Sequence, residues 1–273
     1  MRRLSTVGCV SLLLALALSP AAMADPSWAT VSIELTNAQY ENVSNLAVDY
    51  SGSWATVRDS LSNSDSDSML SGTTHTTTAS ADIGTVSGHA ETGYLHVSAG
   101  FTAAPPPGVT SYGEWNRAYQ EWTFQATADG YVKFLFDLSW TVDLQTALPG
   151  EQASVTASKM VWLFNLTNYN GVGGGTGPNI TRTDGDDFSM VYSQPDGIQL
   201  YFSEGDCGYL TMDVRAYGSA NTVAVPVPPA ILLGLLGLST AGWRLRRHLD
   251  GMRTKKTRSE RQTLLTHSST TTL

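Results

Sequence analysis

Cysteine is nearly missing from this chain. Two of its 273 residues are cysteine, and Cys9 falls in an N-terminal stretch that reads as a removable leader. Cys207 would then stand alone, so neither an intramolecular disulfide nor a cysteine-rich metal site can form. An oxidising compartment permits disulfides without requiring them. A body of about two hundred residues can be held by its core alone.

Positive charge is the second shortage. Between Asp25 and Pro229 there are six basic residues, Arg58, Arg117, Lys133, Lys159, Arg182 and Arg215, against 22 acidic ones, a net of −16. Nucleic-acid binding needs Lys and Arg to neutralise phosphates, so nucleic acid is excluded as a partner. This balance suits a soluble protein outside the cell. From Ala230 onward the sign reverses, with eight basic residues against two acidic ones. The chain also lacks a G-x-S-x-G elbow, an H-E-x-x-H zinc motif and a P-loop. No residue is assigned a catalytic or cofactor-binding role, and the expectation is a protein that is not an enzyme.

The beginning of the chain has the three parts of a secretory signal peptide, residues 1–24. Arg2 and Arg3 supply the positive start, Val10 to Leu18 the short apolar core, and Ala22-Met23-Ala24 a small-x-small cleavage site. Cleavage after Ala24 makes Asp25 the first mature residue.

Residues 25–222 read as β throughout, with no amphipathic helix and no strict repeat. In "TVSIELT" the residues Val31, Ile33 and Leu35 fall on one face, the period of a half-buried strand. The segment 50–88 is rich in Ser, Thr, Asp and Gly and fits either a flexible loop or a run of exposed strands. "AAPPPG" at 103–108 cannot continue a central strand. The pattern around Ala128-Asp129-Gly130 predicts a hairpin. Val132, Phe134, Phe136, Leu138 and Trp140 make the buried face of its second strand. "NGVGGGTGPN" at 170–179 reads as a glycine-rich loop. The architecture these patterns predict is an all-β, antiparallel β-sandwich, jelly-roll-like.

Three constellations carry possible chemistry. His75, His89 and His96 with Glu91 can compose a metal site on neighbouring strands, although a spacing of seven puts His89 and His96 on opposite faces of one regular strand. Asp184, Asp186 and Asp187 around Gly185 offer clustered oxygens for Ca²⁺, the one cofactor this sequence suggests, but without the spaced series and final Glu of an EF-hand. The ordinary alternative is an exposed acidic turn. Glu114 and Glu121 beside Trp115 and Trp122 have the residue types of sugar-cleaving sites. The six body tryptophans can equally stack on sugar rings or fill a core. Asn42, Asn165 and Asn179 stand in N-x-S/T sequons.

The C-terminal segment 223–247 joins prolines, an apolar run and arginines. As a helix, residues 230–243 cover about 21 Å at 1.5 Å per residue, against a hydrocarbon core of roughly 30 Å. The prolines upstream cannot extend that helix well. Arg244, Arg246 and Arg247 follow at once and would remain cytoplasmic, acting as a stop-transfer signal. The signal peptide exports the body and this segment halts transfer, so the two ends agree on one topology.

Val225-Pro226-Val227-Pro228, the Leu- and Gly-rich span and the arginine cluster together resemble a PEP-CTERM sorting signal in its VPxP (VPLPA-like) variant. That family consists of exported bacterial proteins, often with few cysteines and variable β-rich bodies. The resemblance implies an exosortase-type processing enzyme as partner. It also implies inner-membrane anchoring before processing, then release or transfer to another anchor at the cell surface, often in organisms that make exopolysaccharide. The expected role is structural or adhesive. The alternatives are a carbohydrate- or calcium-binding secreted module, or a polysaccharide hydrolase. Residues 248–273 depart from the family, which usually ends soon after the basic cluster. They read as a basic and polar cytoplasmic tail without fixed structure.

Overall fold

The computed structural model of the protein describes residues 27–72 and 74–224. The signal peptide with its cleavage residues, the motif Val225 to Pro228, the span 230–243, the arginine cluster and the tail lie outside the described residues.

Thirteen strands make up the described body: β1 (Trp28–Glu41), β2 (Val43–Asp59), β3 (Ser64–Ser71), β4 (Thr77–Asp82), β5 (Val86–Gly93), β6 (His96–Ala103), β7 (Thr110–Ala126), β8 (Gly130–Gln145), β9 (Gln152–Asn165), β10 (Asn170–Thr176), β11 (Asn179–Thr183), β12 (Asp187–Phe202) and β13 (Cys207–Asn221). They form a six-stranded sheet in the order β12-β8-β1-β6-β5-β4. A seven-stranded sheet has the order β10-β9-β13-β7-β2-β3, with β11 also on β9. All pairings are antiparallel, and the two sheets pack face to face as a sandwich.

The cause is the period of two. Val31, Ile33 and Leu35 of β1, and Val132, Phe134, Phe136, Leu138 and Trp140 of β8, all turn inward and are buried as their alternation predicts. Across the gap they meet Trp122 and Phe124 of β7, Leu163 of β9 and Leu210 and Met212 of β13, in one continuous core. The proline run between β6 and β7 is a loop, since three prolines remove three ladder donors.

One open reading is decided and two expectations change. The segment 50–88 is strand for most of its length, β2 to β5. Its polarity reflects the outer faces and edges of the sheets. The glycine-rich stretch 170–179 is not a loop: β10 pairs residue by residue with β9 from Asn170↔Asn165 to Thr176↔Lys159. Two of its glycines lie under aromatic rings, and a Cβ at either would strike them. It leaves room at Gly171 for the Phe164 ring and at Gly173 for the Trp162 ring.

The second change is topological. β7 and β8 are not a hairpin, because β7 belongs to the seven-stranded sheet and β8 to the other. The turn at 127–129 carries the chain across the sandwich. Asn42, in the equally tight β1–β2 crossing and left-handed at φ 61°, clamps it. Its Oδ1 accepts from Thr127 N–H at 3.1 Å, Thr127 Oγ1 at 2.7 Å and Ala128 N–H at 2.7 Å, and its Nδ2 donates to Ala128 O at 2.8 Å.

One flank of the sandwich is sealed by carboxylates. Asp65 and Asp67 of edge strand β3 accept the free N–H groups of Asp82 and Ser80 on edge strand β4, at 2.9 and 3.1 Å. Donors left open on an edge strand invite pairing with another chain, and here they are occupied.

Candidate ligand-binding face

The outer surface of the seven-stranded sheet collects side chains of a kind found on no other face among the described residues. On β7 the inward positions Ala118, Gln120, Trp122 and Phe124 are buried. The intervening Arg117, Tyr119 and Glu121 therefore point outward. The register lays Trp54 of β2, Arg117 of β7 and Arg215 of β13 in one row across three strands.

Arg117 anchors this row. Its guanidinium lies 5.4 Å from the Trp54 ring centre and 4.9 Å from that of Tyr119, within cation–π range. Its Nε and Nη2 donate to Asp213 Oδ1 and Oδ2 at 2.9 and 2.8 Å, a two-pronged pair. Arg215 Nη2 donates to the same Oδ2 at 2.7 Å, and this hydrogen bond pushes the Arg215 pKa still higher. The Arg215 guanidinium also sits 5.7 Å from the ring centre of Trp115, whose indole is 47 % exposed. Burial and the 2.9 Å hydrogen bond that the Tyr119 hydroxyl donates to Glu121 together push the Tyr119 pKa above the ordinary phenol value.

A second aromatic platform stands further across the sheet. Trp162 of β9 is 45 % exposed and lies opposite Gly173 of β10. A Cβ at Gly173 would come within 2.4 to 2.6 Å of three of its ring atoms, so the indole lies flat on the glycine with its other face to solvent. Trp54 covers Gly52 in a similar way. Between the platforms are two shallow depressions. One, of about 210 Å³, is lined by Trp115, Arg117, Arg215 and Tyr217. The other, of about 330 Å³, is lined by Ser158, Met160, Gly177, Asp213 and Arg215 among others.

Charge marks the same face. Arg58, Arg117 and Arg215 are three of the six basic residues in the body, and they stand with Glu114, Glu121 and Asp213. Arg58 pairs with Glu114. The face is thus locally balanced in a strongly acidic body. Flat indoles, guanidinium forks and carboxylates offer what a neutral or weakly charged sugar chain needs: apolar ring faces to stack on and donors and acceptors for hydroxyls.

The other constellations do not assemble. Among the described residues no three His, Cys, Asp or Glu side chains converge to hold a metal ion. His89 and His96 occupy adjacent strands joined by a tight turn, not one strand, and both face outward. His89 pairs with Gly100 and His96 with Gly93, four residues apart along β6. The His89 ring lies over Gly100, and desolvation there holds its pKa below the ordinary value while Glu91 pulls it upward. Asp184 and Asp186 lie in the turn between β11 and β12, and Asp187 opens β12. Asp184 Oδ1 accepts from Gly150 N–H at 2.8 Å, and Asp186 offers its backbone carbonyl to the Thr146 hydroxyl at 3.0 Å. Glu114 and Glu121 share one strand, about 23 Å apart at 3.3 Å per residue, far beyond the spacing of a glycosidase pair. Trp122 is buried, with its indole N–H held by Gln120 Oε1.

Of the sequons, Asn42 clamps the β7–β8 crossing. Asn165 is fully buried and donates to Asp206 Oδ2 at 2.9 Å. Asn179 is the exposed one.

The sequence sets Trp115 and Trp122 beside Glu114 and Glu121 and gives no place to the other tryptophans. What it missed is that Trp54, Trp115 and Trp162 share a surface. Part of the signal was present, since Trp115, Arg117 and Tyr119 alternate on one strand.

No family model matches the chain, and no curated protein matches it.

Proposed function

We propose that the chain is an exported bacterial cell-surface or extracellular-matrix protein with a non-enzymatic, adhesive role. Its body would bind polysaccharide through the outer face of the seven-stranded sheet. The arrangement that carries this reading is the exposed Trp162 indole and the half-buried Trp54 indole, with the Arg117–Asp213–Arg215 fork between them. The sequence supports export and sorting. The leader ends at Ala24, the motif Val225 to Pro228 precedes an apolar span, and Arg244 to Arg247 follow. An exosortase-type enzyme would process that signal, and the body would pass from the inner membrane to the cell surface. A jelly-roll-like wrapping is supported by β6, β7, β8 and β9, which alternate between the two sheets. Calcium has a smaller place in this reading, at the turn of Asp184, Asp186 and Asp187.

Affinity electrophoresis of the full chain through gels cast with a panel of bacterial exopolysaccharides tests the binding role. Retardation that disappears in Trp54→Ala and Trp162→Ala supports it, and mobility unchanged by every polymer overturns it. The C-terminal peptide mass of the protein from its host tests the sorting role. A new C terminus within 225–229 supports processing, and an intact Leu273 on surface protein refutes it.

A further inference from the structure

Lys159 is the one buried lysine or arginine among the described residues. It stands on β9 between Ala157 and Val161, both inward and buried, so its side chain enters the space between the sheets. There it meets Asp196 of β12, which belongs to the opposite sheet. Asp196 Oδ2, the oxygen facing Nζ, is buried and accepts no hydrogen bond from any other group. A cavity of about 260 Å³ surrounds the pair, walled by Phe136, Val161, Val172 and Ile198.

As a plain ion pair this arrangement is poorly provided for. Lys159 is buried and the Asp196 side chain is 26 % exposed. Charges withdrawn from water need further hydrogen bonds to offset their desolvation, and the surroundings are largely aliphatic and aromatic. A nonpolar setting instead favours the uncharged forms, amine and carboxylic acid. Burial already pulls the Lys159 pKa below the ordinary lysine value. An uncharged amine held against a carboxyl carbon is the reactant pair of amide formation, and fixed proximity can stand in for an enormous concentration of free reactant.

We propose that Lys159 and Asp196 join in an intramolecular isopeptide bond that ties the two sheets together. A proton first passes from the Lys159 ammonium to the Asp196 carboxylate. The Nζ lone pair then attacks Cγ, forming the C–N bond. The bond from Cγ to one Oδ breaks, and that oxygen leaves with its proton and one from nitrogen as a single water. No oxidant or cofactor is consumed. The amide is neutral, so the buried charges vanish with the reaction. The tie would close the flank between β10 and β12, opposite the flank that Asp65 and Asp67 seal. It would give a body with one cysteine the covalent brace that a disulfide cannot supply.

Tryptic digestion of the folded, purified full chain followed by mass spectrometry tests this. An unmodified chain yields separate peptides 134–159, 160–182 and 183–215. The isopeptide blocks cleavage after residue 159 and leaves 134–182 joined to 183–215 in one branched species, lighter by one water. Fragmentation should place the amide at Lys159 Nζ and Asp196 Cγ. Lys159→Arg should restore cleavage at residue 159 and the full mass. Recovery of peptides 134–159 and 160–182 at their sequence masses from the wild-type chain overturns the proposal, whether or not the variant folds.

Discussion

Phe124 on β7 and Phe134 on β8 face each other across the sandwich, ring centres 5.5 Å apart at 62°. Ten positions of sequence separate the two rings, yet their strands never share a ladder. Their edge-to-face contact, joined by Phe202 at 5.4 Å from Phe124, sits beside the crossing that keeps the strands in different sheets. Phe124→Ala should cost about 3–5 kcal/mol of folding free energy. Urea unfolding followed by tryptophan fluorescence measures it, and a loss below about 1 kcal/mol would mean the contact is not a core contact.

The crossing itself depends on Asn42. Asn42→Ala strands the N–H of Ala128, leaves Thr127 N–H only the residue-42 backbone carbonyl at 3.3 Å, and puts a Cβ residue with no polar group at φ 61°. A loss of roughly 1–3 kcal/mol is expected. Asn42→Gly keeps the backbone conformation but not the hydrogen bonds, so its loss should be smaller. Equal losses in the two variants would show that the left-handed conformation contributes nothing beyond the hydrogen bonds of the clamp.

Gly173→Ala separates platform from fold. The added Cβ meets the Trp162 indole, a movable side chain on an edge pair. The ring should lift from the strand. Polysaccharide affinity is then expected to fall roughly tenfold, equivalent to about 1.4 kcal/mol, with little change in the thermal midpoint. Unchanged retardation in the affinity gel would remove Trp162 from the binding face.

Acid should destabilise the body through Asp206. Its carboxylate receives the Asn165 and Asn168 side-chain amides and the Ser203 N–H, each at 2.9 Å. The bond from Asn165, followed by that from Ser203, holds its pKa below the ordinary 3.8. The unfolded chain therefore binds the proton more readily. The stabilisation is complete above the unfolded value and disappears as pH falls through the folded one. Burial alone would raise the Glu151 pKa, but hydrogen bonds from Ala147, Ser27, Leu148 and Val223 together outweigh it and set the same direction. Unfolding midpoints measured from neutral to acid pH should decline in this range, and Asp206→Asn should flatten the decline. A variant with the wild-type slope would clear Asp206 of the effect.

For β1 and β8, strand identity and the inward faces were legible in the residues alone. The alternation from Val31 to Leu35 and from Val132 to Trp140 is local, because successive side chains on a strand must point to opposite sides. The shortages of cysteine and positive charge were likewise complete in the sequence. Which strands become neighbours was decided by tertiary structure, since ladders join residues far apart in the chain and many edges can satisfy the same pattern. Asp129-Gly130 suits a hairpin as well as a crossing, and only the Asn42 clamp and the facing phenylalanines select the crossing. Gly173 reads as loop until the Trp162 ring is seen to need its missing side chain. Trp54, Trp115 and Trp162 come from three strands, and the meeting of Lys159 with Asp196 needs both sheets. Local period determines what each strand buries, and long-range pairing determines what it meets.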